Sequence, residues 1–414
     1  MRRSACCSLL LLAVGLSLIV APLAATTSDS PQWRGPDRTG ISPASDLLAE
    51  WPEDGPPILW RVDDIGAGFG SIATQGDTIY IQGTEGGDSA VFALSTEDGS
   101  RQWSTTLGPL LVQDRGNGPR GTPTLVDDHL FVITGTGILA KLQRNDGKIV
   151  WQKNLLTEYG ASNPYWGISE SPLVLDGVVY AMPGGDKASV VALDAGDGSE
   201  IWARSHGHRA SYSSFMPATF HGVDVLVGFT QSAGIGVRRS DGELVWEYAA
   251  PANRTANAAT PVIGGNIVVY SSGYGTGAGA IEILEGDGDK LETRELWFQS
   301  RLQNHHGGIV LYEGHLYGFF GNALACADLE TGEIAWQARS VGKGSLTVAD
   351  GKLFLLGERH RVGLADASPD AYTERGRFDL ERIDEPAWAY PVVSNGRLYI
   401  RDQNTLTAYD VRAK

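Results

Sequence analysis

Between Ser171 and Trp202 the chain reads SPLVLDGVVYAMPGGDKASVVALDAGDGSEIW, and no other stretch limits the fold so tightly. It divides into four short strands. Ser171–Leu175 ends at the pair Asp176-Gly177, and Val178–Met182 is a β-branched run that closes on Gly184-Gly185. Val190–Asp194 follows, then a second tight turn at Asp197-Gly198, then Ile201-Trp202. Asp and Gly accept the positive φ that hairpin turns require, so the stretch reads as a meander. A single sheet of this kind has two apolar faces and cannot bury both, so copies must stack.

The copies are present. The first turn recurs as Gly76-Asp77, Asp127-Asp128, Asp176-Gly177, His221-Gly222, Gly264-Gly265, Glu313-Gly314, Asp350-Gly351 and Asn395-Gly396. The second recurs as Asp98-Gly99, Asp146-Gly147, Asp197-Gly198, Asp241-Gly242, Asp287-Gly288 and Thr331-Gly332. Trp103, Trp151, Trp202, Trp246, Trp297 and Trp336 close most repeats, at intervals of roughly 40–50 residues, the length of a four-stranded propeller blade. Eight first turns predict an all-β, eight-bladed β-propeller of four-stranded antiparallel blades. A Trp at one position of every repeat is packing between blades, each indole burying about 150–250 Å².

The pattern A-x-D-x-x-x-G-x-x-x-W runs from Ala192-Leu193-Asp194 to Trp202, and again from Ala327-Asp328 to Trp336. It resembles the pyrroloquinoline-quinone-type (PQQ-like) β-propeller repeat, and the similarity extends from about Pro31 to Val411. PQWRGPDRTGIS, from Pro31 to Ser42, resembles the opening segment of secreted members of that family. The resemblance implies two branches. The assembly-factor branch implies a binding propeller without chemistry. The dehydrogenase branch implies a quinone in the funnel on a Trp floor, beneath two adjacent bonded cysteines, with calcium held by Glu, Asn and Asp. Here the only adjacent cysteines are Cys6-Cys7. Glu170 and Asn257 resemble two of the calcium ligands, no Asp matches the catalytic one, and the chain is much shorter than those enzymes. The expectation is therefore a binding module with neither quinone nor calcium as cofactor.

Met1–Ala25 has a basic start, an apolar run from Leu9 to Val20 and small residues at Ala24-Ala25, and reads as an export signal. The apolar run is shorter than the roughly 20 residues of a membrane span, with an uncleaved anchor as the alternative. A periplasmic or extracellular location follows. Residues 26–56 are rich in Pro, Ser, Gly and Asp but hold Trp33 and Trp51, so they form an ordered leader lying against the ring, which occupies 57–414. Leu59-Trp60 looks like the end of a repeat, and Pro391–Asp410 like the beginning of one. The two are expected in one blade that shuts the ring and leaves no free inner edge. The formal charge of −16 excludes nucleic acid and anionic membrane surfaces as partners, since both need basic patches. The partner expected is a protein or a saccharide, met by a monomeric ring. Asp287-Gly288-Asp289 and Asp194/Asp197 lack the ligand pattern of a calcium loop, so no metal is assigned.

Strand direction alternates, so the first-to-second and third-to-fourth turns share one face of the ring. Connections between blades, and those between second and third strands, share the other. The irregular residues of that second face are the ones the repeat does not explain, and binding groups concentrate on loops held by a rigid scaffold. The candidate mouth is Arg120, Trp166, Glu170, Tyr212, Asn257, His305, His306, Lys343 and Trp388, with Gly273–Gly277 overhanging it. A structural ion pair is the alternative role for Arg120 and Glu170. A hydrolase or lyase using His305 or His306 as base is a third functional reading, behind binding and quinone-dependent oxidation.

Overall fold

A computed structural model of the chain describes residues 28–413 apart from Asp289 and Asp384. The export signal assigned to residues 1–25 lies outside the described residues. Eight four-stranded antiparallel sheets make an eight-bladed propeller. Eight apolar clusters lie between neighbouring blades, so the core is distributed around the ring.

The first-to-second turns are two residues long. Gly76, Asp127, Asp176, His221, Glu313, Asp350 and Asn395 all open them with positive φ, the twist-matched hairpin geometry. In blade 5 the register pairs Gly264 with Ile267, so its turn is Gly265-Asn266, one residue later than the sequence reading. The third-to-fourth connections are longer than the two residues expected. Ser95 ends one strand and Arg101 begins the next, and Gly99 N–H closes back on the Ser95 carbonyl at 3.0 Å.

That connection receives the indole of the preceding blade. Trp60 Nε1 donates to the Thr96 carbonyl, Trp103 to Arg144, Trp151 to Ala195, Trp202 to Arg239, Trp297 to Leu329 and Trp336 to Ser368, at 2.8–3.2 Å. Trp246 differs and donates to Tyr270 Oη at 3.1 Å. The fourth strand of blade 7, Glu374–Asp379, carries no Trp. Trp51 of the leader supplies one, tilted on Phe378 and Phe354 in the cluster between blades 7 and 8.

The ring closes as the sequence suggests, with one difference. Ile58–Val62 pairs antiparallel with Thr405–Asp410, Trp60 opposite Ala408, as the outermost strand of blade 8. The expectation that this closure removes a free inner edge is corrected: the inner strand is Val392–Ser394, and the N-terminal strand covers an outer edge.

The leader does more than lie on the ring. Thr74 and Leu125 N–H donate to the Ser30 and Pro31 carbonyls, and Val348 N–H to Gly40. Ser42 Oγ donates to Val393, Arg34 to Ile309, and the Arg38 guanidinium to the carbonyls of Ser171, Pro172 and Phe215. These partners lie on opposite sides of the ring, so residues 28–47 fill its central channel. Both ends of the loop meet first-to-second turns, at Asn395 and Asp350. Its tip points toward the other face.

Candidate functional site

On that other face the ring opens into a funnel of about 1020 Å³. Its wall comes from inter-blade loops and from second-to-third connections, the two loop classes that strand parity puts together. Seven of the nine sequence-derived residues line it: Arg120, Trp166, Tyr212, His305, His306, Lys343 and Trp388. Trp33, from the tip of the leader, also lines the funnel, edge-on to Tyr390 at 5.6 Å.

Glu170 and Asn257 are not part of the wall and are corrected as mouth residues. Asn257 is fully buried, and its amide is consumed by backbone: Nδ2 donates to Thr230, Gln231 and Asn253, and Oδ1 accepts from Asn253 N–H. Glu170 is buried with Oε2 accepting Met182 N–H at 2.9 Å and Oε1 unpaired. Burial raises its carboxyl to about 8, against the pull of the Met182 amide and Arg38. The Arg120–Glu170 ion pair does not form. The Arg120 guanidinium donates to the Gly118 and Gly116 carbonyls at 2.6 and 3.0 Å and lies over the Phe69 ring. Loss of solvent lowers it to about 10.

The most connected group in the funnel is Glu358, which the sequence reading missed. One carboxylate oxygen, Oε1, meets His306 Nε2 at 2.6 Å, Trp388 Nε1 at 2.7 Å and Lys343 Nζ at 3.0 Å. Burial pushes this carboxyl up, but His306 and Lys343 outweigh it and hold it at about 2. Burial lowers His306 despite Glu358, and lowers His305 to about 3 with help from His306 and Lys343. His306 Nε2 is the donor in its 2.6 Å contact with the Glu358 carboxylate. Tyr274 Oη lies 2.7 Å from His305 Nε2, and the His306 ring packs on both His305 and Trp388. Glu358 sits in the second-to-third connection of blade 7. Strand parity, which puts Gly273–Gly277 of blade 5 at the mouth, puts Glu358 there too.

Charge in the funnel runs against the rest of the molecule. Arg115, Arg120, Lys343, Arg359 and Arg382 line it, against Glu358 and Glu385, in a chain of net charge −16. Among the described residues, Arg115, Arg120 and Arg359 form no ion pair with a carboxylate.

The sequence matches the family model described as outer membrane protein assembly factor BamB over residues 45–151 and 87–338. The chain belongs to this family of PQQ-like repeat β-propellers. It is 26% identical over 324 residues to the outer membrane protein assembly factor BamB of Yersinia pestis, covering 73% of this chain and 76% of that one. It is 24% identical to a polyvinylalcohol dehydrogenase of Pseudomonas sp, covering 52% of this chain and only 40% of the relative. Among solved structures, the quinohemoprotein alcohol dehydrogenase of Comamonas testosteroni superposes with a TM-score of 0.67 at 13% identity, over 94% of this chain and 81% of that one. The computationally designed Ika8 protein superposes with a TM-score of 0.62 at 10% identity, over 86% of this chain and 100% of the design. At such identities the superpositions describe the fold alone.

The dehydrogenase branch implies a quinone and calcium, and the residues here do not fit that pair. Glu170 and Asn257, the two residues resembling calcium ligands, are turned into the protein, and the Asn257 amide is already bonded. Glu170 Oε2 already accepts the Met182 N–H at 2.9 Å. Cys326, the one cysteine among the described residues, is buried in blade 6 and offers no vicinal pair. Among the described residues no helix is long and apolar enough to cross a membrane.

Proposed function

We propose that this propeller is an exported, monomeric scaffold that captures an extended segment of a partner protein, or a saccharide, in its funnel without carrying out chemistry on it. The observation that carries the reading is the funnel itself. It combines flat aromatic faces (Trp166, Tyr212, Tyr274 and Trp388) with arginines that have no carboxylate partner among the described residues, on a ring whose channel is filled behind them. A rigid ring presents these groups with little ordering cost, which favours binding. Unpaired cations in an acidic molecule focus the field on a ligand carrying negative charge. The relative named as an assembly factor, matched over 76% of its length, supports a protein as the partner.

Wild-type protein on peptide and glycan arrays identifies the binder class, and three variants then test the surface. Trp166→Ala and Arg115→Ala should each weaken capture about tenfold or more, as aromatic and arginine anchors do. Asp176→Asn, on the opposite face, should bind as wild type does, since Asn tolerates the left-handed backbone that Asp176 adopts. Loss of binding in the Asp176 variant alone would move the functional face to the other side. Dye-linked oxidation of alcohols on addition of pyrroloquinoline quinone would replace this reading with the oxidoreductase one.

A further inference from the structure

Two histidine nitrogens in the funnel wall have no partner. The Nδ1 atoms of His305 and His306 are both shielded from solvent and without a hydrogen bond. A buried polar atom left unpaired is costly, and the bare Nδ1 of His305 asks for a partner from outside the protein. The opposite nitrogens are both held by oxygen: His305 Nε2 by Tyr274 Oη, and His306 Nε2 by Glu358 Oε1. At His305 one ring nitrogen is oriented by an oxygen and the other left bare, the way metal-bound histidines are held. At His306 the nitrogen that faces Glu358 Oε1 at 2.6 Å is the one an ion shared with that carboxylate would take. One donor atom from each of His305, His306 and Glu358 lies within 4.8 Å of the others.

We propose that His305, His306 and Glu358 form a site for a divalent transition-metal ion of the zinc type, with its remaining coordination positions open to the funnel. Imidazole nitrogen and a single carboxylate select zinc, copper or nickel over calcium and magnesium, which take oxygen ligands. Three protein ligands leave a fourth position for an oxygen of the bound partner. The site thus deepens the binding role of the funnel, on which it rests. Metal–nitrogen bonds of about 2.0–2.1 Å bring ligand atoms to roughly 3.3 Å from one another, so the side chains close inward on the ion. His305 and His306 lie where the register of blade 6 slips between Asn304 and Ile309, so their backbone is not locked in a regular ladder. Lys343 is the competitor. Its ammonium lies 3.0 Å from Glu358 Oε1 and balances with one charge the carboxylate that a divalent ion would engage with two.

That competition gives the site a two-sided test. Tag-free, chelator-treated full chain is titrated with zinc chloride by calorimetry and with cobalt(II) by visible absorption. Trp388, bonded to Glu358 and packed on His306, reports copper(II) by fluorescence quenching. Wild type should take one ion at about micromolar Kd or tighter, with the intense absorption of four-coordinate cobalt. His305→Ala should weaken it by about 100-fold or more, and Glu358→Gln should do the same if the histidine variant fails to fold. Lys343→Met should tighten it. No stoichiometric uptake by wild type, or equal affinity in the folded His305→Ala protein, would overturn the site. Array binding with and without chelator separates the two readings. Capture without any metal uptake sinks the metal site alone, and metal uptake without capture sinks the binding role alone.

Discussion

Gly147 and Gly222 share a left-handed backbone, at φ +71° and +84°, and differ in what surrounds them. A Cβ added at Gly222 meets nothing within 4 Å, whereas at Gly147 it would collide with the Trp103 indole. The same opposition of glycine and indole recurs at Gly99 with Trp60, Gly198 with Trp151, Gly242 with Trp202 and Gly332 with Trp297. These glycines serve the turn and the docking of the neighbouring blade at once. Gly222→Ala should cost about 1–2 kcal/mol of backbone strain. Gly147→Ala should cost about 1–3 kcal/mol more, because the indole must move as well. Equal losses in urea denaturation would show that the third-to-fourth glycines answer to backbone alone. The sequence displays both repeats but not that a glycine of one meets the tryptophan of the repeat before it.

Among the strands, closure of the ring depends on a short one borrowed from the other end of the chain. Within Ile58–Val62, Trp60 is 8% exposed and joins the cluster between blades 8 and 1, while Leu59 beside it is 40% exposed. Trp60→Ala should therefore destabilise by about 3–5 kcal/mol. Leu59→Ala should stay within about 0.5 kcal/mol, as for other surface positions. A Trp60 variant as stable as the Leu59 variant would mean that the ladder to Thr405–Asp410 closes the ring without help from packing. Trp51 makes the same point from outside the repeat. Blade 7 has no indole of its own, and a leader residue takes that place.

Across the full ring, the filled channel sets the electrostatics of the centre. Arg38 and Glu170 are buried there because the leader crosses the channel beneath the funnel. The folded Glu170 carboxyl, at about 8, lies above its ordinary value of 4.5. The folded state therefore holds a proton that the unfolded chain releases between those values. Glu170 contributes stability fully below the unfolded value, and this is lost as pH rises toward about 8. Glu170→Gln, neutral throughout, should gain on wild type progressively from about pH 5 to pH 8, by a few kcal/mol at the upper end. Denaturation of both proteins across that range measures it. A difference that does not change with pH would show Glu170 ionised in the folded state.

The blades, their number, most of their turns, the joining of the two chain ends and the face that bears the irregular loops were all legible in the sequence. Each follows from short-range chemistry repeated at a regular interval: positive φ at Asp-Gly pairs, alternating strand direction and apolar faces that must be covered. What meets at the axis was not legible. Trp166 and Glu170 belong to one inter-blade loop, yet the first lines the funnel and the second turns inward to the Met182 amide. Irregular loops have no period from which a side chain's direction can be read. Glu358 gathers His306, Lys343 and Trp388 from three different blade junctions, and the leader bonds to blades on both sides of the ring. Such contacts join residues far apart in the chain, and they exist only once the closed ring has brought its loops to a common mouth.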